Sequence, residues 1–291
     1  MRRTDLAVEA RALWQESGAE TATLSGVAAR ESLREGVPVT TVEILDGDGE
    51  AALGKPRGTY VTLELEGLSD RAEGIFQRGI SAVAGELRWL LEPLAPEGLV
   101  LVAGLGNRAI TPDAVGPLVH EHTLVTRHLI AQMPDRFGGL RPVASLAAEV
   151  LGSTGVESAE VVRAVCDRIR PACVIAVDAL ASRSLRRLCR TVQLSDTGIT
   201  PGSGVGNHRM GLNRDTLGIP VLAVGVPTVV DGATLAADLT GREVSGGEEN
   251  FMVTPRDIDS QVADLGKLVG YAIDLALQPG LSLADLELLL S

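Results

Sequence analysis

Three short apolar runs, Gly98–Leu105, Cys173–Val177 and Val221–Val226, restrict the fold of this chain more than any other feature. Gly98–Leu105, bounded by glycines, reads as a strand buried on both faces, and Cys173–Val177 and Val221–Val226 read as further strands. An alternating stretch at Thr59–Leu65 adds a half-buried strand, Thr191–Leu194 reads as a further strand, and helical patterns fall over residues 69–91, 113–133, 255–277 and 283–290. Strands interspersed with helices need crossover connections. The expected architecture is therefore α/β and three-layered. A largely parallel sheet carries helices on both faces, with extra strands and helices around it, and residues 1–291 form a single domain. Sheets of this kind gather ligands at the carboxyl ends of their strands, so the loops after the apolar runs are where chemistry belongs.

Residues 1–58 read as an N-terminal arm: 1–35 is helix-prone but heavily charged, and Asp46-Gly47-Asp48-Gly49 and Gly54-Lys55-Pro56 read as turns. The chain has 26 basic and 38 acidic residues, a net charge of −12, and only 2% aromatics. Phosphate tracking and base stacking are both poorly served by that composition, which argues against nucleic acid as a partner. Cys166, Cys173 and Cys189 are odd in number and lack C-x-x-C spacing. A disulfide scaffold and a cysteine zinc site are therefore both disfavoured, and a reducing cytoplasm is expected. The start, Met1-Arg2-Arg3-Thr4-Asp5-Leu6, has no apolar signal region. No uncharged apolar stretch reaches the roughly 18 residues a membrane span needs, so no membrane association is expected.

The first candidate loop runs from Gly104-Leu105-Gly106-Asn107-Arg108 through Thr111-Pro112-Asp113-Ala114 to Gly116-Pro117. Its opening matches G-x-G-x-x-A, yet a proline and a further turn separate it from the following helix and no acid sits on a next strand about 20 residues on, so a dinucleotide site is disfavoured. Asp113 lies just beyond the carboxyl end of a buried strand. Taken alone it is a first-turn acid favoured by the helix dipole. The second loop places Asp178 directly after Val174-Ile175-Ala176-Val177 and is followed by Arg183. If the two strands are neighbours, Asp113 and Asp178 face one crevice and can share a proton, the condition for one to act as base and the other as acid.

The third loop holds Asp196, Gly198, Gly202, Ser203, Gly204, Gly206, Asn207, His208 and Arg209. Its glycines suit either backbone amides turned toward an anion or extended peptide, or a close-packed turn. Ser203 lacks the G-x-S-x-G elbow because Pro201 occupies the first glycine position. His120-Glu121 begins like H-E-x-x-H, but Leu124 closes it, so no zincin motif exists. His208 is the histidine nearest the expected crevice, and Arg108, Arg183 and Arg209 fall near the same strand ends.

These loops, together with Arg3-Thr4-Asp5-Leu6-Ala7-Val8-Glu9-Ala10, Gly225-Val226-Pro227-Thr228-Val229-Val230-Asp231 and Met252-Val253-Thr254-Pro255, resemble the germination protease (spore protease) family from the first residues to about residue 275. The resemblance implies an endopeptidase that degrades small acid-soluble, DNA-protecting proteins during spore germination, within the spore-core cytoplasm. It also implies an α/β fold similar to hydrogenase maturation peptidases, a homotetramer, and a zymogen with a short pro-segment, here minimal at residues 1–6. The family is viewed as atypical aspartic proteases, and its two essential aspartates match Asp113 and Asp178. Asn107, Arg108, Arg183, Asp196, Gly202, Gly204, Gly206, Asn207, His208 and Arg209 are the expected substrate-binding residues, with no metal or cofactor. Two alternatives stand beside this reading. One is metal-assisted hydrolysis through Asp113, Asp178 and His208, as in hydrogenase maturation peptidases. The other is a non-catalytic protein that holds a peptide or anion in the glycine-rich loop.

Overall fold

Nine strands form one sheet among the residues described by this computed structural model, which are 4–16, 24–202, 209–240 and 251–290. The strands are β1 (Val27–Arg34), β2 (Val37–Ile44), β3 (Gly58–Glu64), β4 (Val100–Leu105), β5 (Val143–Ala148), β6 (Cys173–Ser182), β7 (Thr191–Ser195), β8 (Val221–Asp231) and β9 (Met252–Val253). The helices are α1 (Ala7–Glu16), α2 (Gly47–Leu53), α3 (Ile75–Leu91), α4 (Val115–Glu121), α5 (Arg127–Gln132), α6 (Pro134–Phe137), α7 (Leu151–Thr154), α8 (Ser158–Ile169), α9 (Arg214–Leu217), α10 (Gly232–Thr240), α11 (Ile258–Leu277) and α12 (Leu283–Leu289).

The strand order is β1-β2-β3-β7-β8-β6-β4-β5, with β9 added to β8. The three apolar runs become β4, β6 and β8, and β4 is parallel to β5 and β6 while β6 is parallel to β8. Three of the four strands of this parallel core are the ones the apolar runs foretell; β5 is the fourth. An antiparallel wing, β1-β2-β3-β7, extends it through β7, which runs antiparallel to β8. Successive side chains of the core strands alternate between two faces. Val100, Val102, Cys173, Ile175 and Val177 pack in one cluster with Leu87 of α3, Val119 of α4 and Leu268 and Val269 of α11. Leu101, Ala103, Leu105, Val174 and Ala176 pack in another with Val162 and Cys166 of α8. The two apolar faces give the helix–sheet–helix layering.

Several local readings change. Residues 27–34, read within a helix-prone arm, form edge strand β1, paired along its length with β2. That pairing is tertiary, and the exposed Arg30, Glu31 and Arg34 gave it no local sign. Asp46 is the N-cap of α2 rather than a turn residue: its Oδ1 accepts from the amides of Asp48 and Gly49 at 3.0 and 3.1 Å. The single helix expected over 113–133 is broken into a one-turn 3-10 helix at Thr111–Asp113, then α4 and α5. At the break, the buried Asp274 carboxylate of α11 accepts the Leu124 amide, 3.0 Å from both oxygens, and draws the chain out of helix. β5 and α8 carry no pattern strong enough to have been anticipated. None of the helices among the described residues is long and apolar enough to cross a membrane.

One irregularity matters for the site. Val174–Leu180 pair with Val221–Pro227 in step, but Ala181 pairs with Val229, so Thr228 is an extra residue in β8, a bulge.

Candidate active site

The first loop is shaped by close approach of its own backbone. Gly106 has φ +111°, and a Cβ there would overlap the Asp113 carbonyl oxygen and lie 3.1 Å from Asp113 Oδ1. A Cβ on Gly116, at the start of α4, would overlap the backbone of Leu105 and lie 2.7 Å from the Val177 carbonyl oxygen. These glycines let the loop fold back so that α4 starts directly over the end of β4 and the middle of β6. They serve chain packing, which accounts for a dinucleotide-like spacing without a dinucleotide site. Within the loop, the Asn107 amide donates to Asp113 Oδ2 at 2.8 Å.

Because β4 and β6 are adjacent and Gly104 is paired with Val177, Asp178 comes up beside the first loop. Asp113 and Asp178 line one cavity of about 330 Å³, with Gly106, Ile110, Val150, Pro201, Gly202, Arg209, Thr228 and Met252 among its walls. Asp178 is 5% exposed and its Oδ1 accepts from the Ala179 amide at 2.9 Å. Burial pushes its carboxyl well above the ordinary range, and the charges of Asp113 and Asp5 push it further; the Ala179 amide and Arg209 oppose this. Burial also raises Asp113, opposed by the Asn107 amide and by Arg209. Burial thus raises both carboxyls, and each accepts one backbone amide. Two raised carboxyl groups around one small, mostly apolar cavity are the arrangement in which a pair can share a proton and polarise one water.

The other expected site residues divide. Gly202 and Arg209 line the cavity, and Arg209 acts electrostatically on both acids. Asn107 contributes its amide to Asp113, while its side chain accepts from the Ala109 amide at 2.9 Å. Arg108 is engaged in an exposed ion pair with Glu121, Nε to Oε1 2.8 Å, and does not line the cavity. Asp196 does not line it either: its Oδ1 accepts the Thr59 amide at 2.7 Å, stitching β3 to the end of β7. The Arg183 amide donates to Glu9 at 2.6 Å, and Arg183 is likewise absent from the cavity wall. Ser203, Gly204, Gly206, Asn207 and His208 lie outside the described residues.

Sequence reasoning missed a third acid. Asp5 lines the cavity because the N-terminal segment is pinned across the end of β6: the Asp5 amide donates to the Ala181 carbonyl at 2.9 Å, and the Ala181 amide to Asp5 Oδ2 at 2.8 Å. Glu9, 4% exposed, accepts the Arg183 and Ser184 amides at 2.6 and 3.1 Å and the Thr4 hydroxyl at 2.6 Å. Asp5 and Leu180 also border a second, more polar cavity of about 310 Å³ that includes Lys55, Tyr60, Gln193 and Thr197. Lys55 Nζ donates to the Asp5 carbonyl at 2.8 Å, and burial lowers its amine from the ordinary lysine value. No spacing could have revealed these contacts, since the partners are far apart in the chain. Among the described residues, no three His, Cys, Asp or Glu side chains form a cluster suited to a metal ion.

The sequence profile of the germination protease family matches residues 7–241. The chain belongs to the germination protease family. Germination protease of Caldanaerobacter subterraneus subsp. tengcongensis is 41% identical over 322 aligned positions, covering 99% of this chain and 98% of that protein. Germination protease of Clostridium perfringens is 40% identical over 98% of both chains, and that of Bacillus cereus is 44% identical over 85% of this chain and 70% of its own. The protease is thus related to these proteins along nearly its whole length. A [NiFe] hydrogenase maturation protease HycI from Thermococcus kodakarensis aligns at 17% identity and a TM-score of 0.37 over 65% of this chain and 98% of its own, too low a similarity to bear on the fold.

Proposed function

We propose that this protease is an atypical aspartic endopeptidase that cuts small acid-soluble, DNA-protecting spore proteins at germination, with water activated between Asp113 and Asp178. The reading is supported chiefly by one observation: Asp113, from the loop after β4, and Asp178, from within the adjacent parallel strand β6, line a single cavity, and the buried Asp178 carboxyl is raised further by the charge of Asp113. Ionised Asp113 takes a proton from water as the oxygen attacks the scissile carbonyl. Asp178, protonated, donates a hydrogen bond to the developing oxyanion and then its proton to the leaving amine. The products are a carboxyl and an amine terminus, and no covalent intermediate forms. Arg209 stands by to limit charge repulsion, and Gly202 with the rest of its loop, including Gly204, Gly206, Asn207 and His208, receives the substrate in extended form.

Loss of general acid–base assistance costs about 10²- to 10⁴-fold in kcat, so Asp113→Asn and Asp178→Asn are each expected to fall in that range. The assay is mass spectrometry of a purified spore-protein digest, with a chelator arm. Cleavage by either variant near the wild-type rate, or loss of wild-type activity on chelation with recovery on adding one metal, overturns the two-aspartate mechanism. The same reading places a homotetramer in the spore core, made as a zymogen with a pro-segment at residues 1–6. Light scattering showing a monomer, or an unchanged N-terminus on activation, contradicts those parts.

A further inference from the structure

We propose that Thr228, the extra residue of the β8 bulge, is a positioning residue for Asp113: its hydroxyl holds the Thr111–Pro112–Asp113 turn against the sheet and so fixes where the Asp113 carboxylate stands relative to Asp178. The inference rests on the two-aspartate reading above and adds a residue to which that reading gives no role.

The geometry carries it. Thr228 is fully buried, and its Oγ1 donates to the Pro112 carbonyl at 2.7 Å, one residue from Asp113. It also lines the cavity that holds both acids. A parallel pair in regular step would give each residue of β8 a partner in β6, but the step between Leu180–Pro227 and Ala181–Val229 passes over Thr228. Bulges of this kind re-aim a side chain and concentrate beside functional sites. Here the re-aimed side chain reaches across to the loop from a different strand.

From within its own loop the turn is held by the Asn107 amide on Asp113 Oδ2 at 2.8 Å, but the Thr228 hydroxyl is what ties it to β8. Pro112 has no amide hydrogen to offer. The Asp113 amide is taken locally by the Ile110 carbonyl, and the Ala114 amide by that of Thr111. On the far side, the Thr111 hydroxyl donates to Asp259 Oδ1 of α11 at 2.7 Å, but this tie is exposed and water competes for both of its ends. The buried tie is consequently the one that sets the turn's height above the sheet. Its chemistry is specific: it needs a hydroxyl on a side chain short enough to sit in a bulge, and valine would fill the space while leaving the Pro112 carbonyl without a donor.

The test compares Thr228→Val with Thr228→Ser. A misplacement of about 1 Å can cost about 10²-fold, so Thr228→Val is expected to lower kcat about 10- to 100-fold with KM changed by no more than about twofold, and Thr228→Ser to restore most of the loss. Carbon-13 NMR of labelled aspartate carboxyls supplies a readout independent of turnover. The coupled titration of Asp113 and Asp178, which also senses Asp5 and Arg209, is expected to move in Thr228→Val and return in Thr228→Ser. If Thr228→Val does not fold, Thr228→Ala takes its place. A merely structural threonine would lower the melting temperature and leave both kcat per folded molecule and the carboxyl titration unchanged, and that result overturns the proposal. Asp113→Asn is run alongside. If it keeps wild-type activity, the two-aspartate mechanism fails, while the NMR titration still decides whether Thr228 positions Asp113.

Discussion

Replacing Gly116 with alanine should show how closely the catalytic geometry depends on one backbone contact. On an open helix surface, Gly→Ala adds up to about 1 kcal/mol of stability through helix propensity and reduced unfolded-state freedom. At Gly116 the sign reverses. The new Cβ would stand 2.7 Å from the Val177 carbonyl oxygen, the residue before Asp178, and closer still to the backbone of Leu105, the residue before Gly106. Ordinary contact lies near 3.5 Å, so α4 must withdraw by roughly 1 Å. Neither obstacle is a side-chain tip that can swing aside; both are backbone atoms of core strands. Overpacking of this kind costs about 1–3 kcal/mol. Because the one-turn helix carrying Asp113 leads straight into α4, the withdrawal shifts Asp113 relative to Asp178, and about 1 Å of misplacement lowers kcat by about 10²-fold. Kinetics on a purified spore-protein substrate, with calorimetry on the same samples, should therefore show kcat and melting temperature falling together. Gly152→Ala, in α7 where a Cβ meets nothing within 4 Å, is the control: it should leave kcat unchanged and the melting temperature equal or slightly raised. A Gly116→Ala protein that melts at or above the wild-type temperature and turns over at the wild-type rate would refute the reasoning.

Two further outcomes follow from the buried acids. Glu9→Ala removes the acceptor for the Arg183 and Ser184 amides and should cost about 1–3 kcal/mol, read as a lower urea midpoint with faster hydrogen exchange at those two amides; unchanged exchange would show that Glu9 does not anchor the segment. Burial also raises the Asp274 carboxyl well above its ordinary range, so the folded state holds this proton more tightly than the unfolded chain. The resulting stability is fully present below the unfolded carboxyl pKa and is lost as pH rises toward the folded value. Asp274→Asn removes this dependence, and the difference in urea midpoint between wild type and variant should change in the variant's favour from acid to neutral pH; a difference constant across that range contradicts the assignment.

Much of the fold was legible because burial on both faces demands contiguous apolar residues, and that is a local property of the chain. The runs that became β4, β6 and β8 announced strands of a parallel core and the loop after β4 that carries Asp113, whereas Asp178, expected in the loop after its strand, lies within β6, which continues to Ser182. The glycines at 104, 106 and 116 were equally visible, although only the folded structure shows that they admit backbone to backbone. What no window of sequence carries is adjacency. That β4 lies beside β6, that residues 27–44 extend the sheet as a hairpin, and that Asp5 and Thr228 come to the same cavity as the two acids all depend on pairings between distant segments. The same holds for residues expected at the site and engaged elsewhere: Arg108 found Glu121, and Asp196 found Thr59. Local pattern determined which residues could be buried; three-dimensional packing decided how far the strands run, β6 through Asp178 to Ser182 and β8 to Asp231, and which of them meet, because free energy gained between segments far apart in the chain leaves no periodicity in either one.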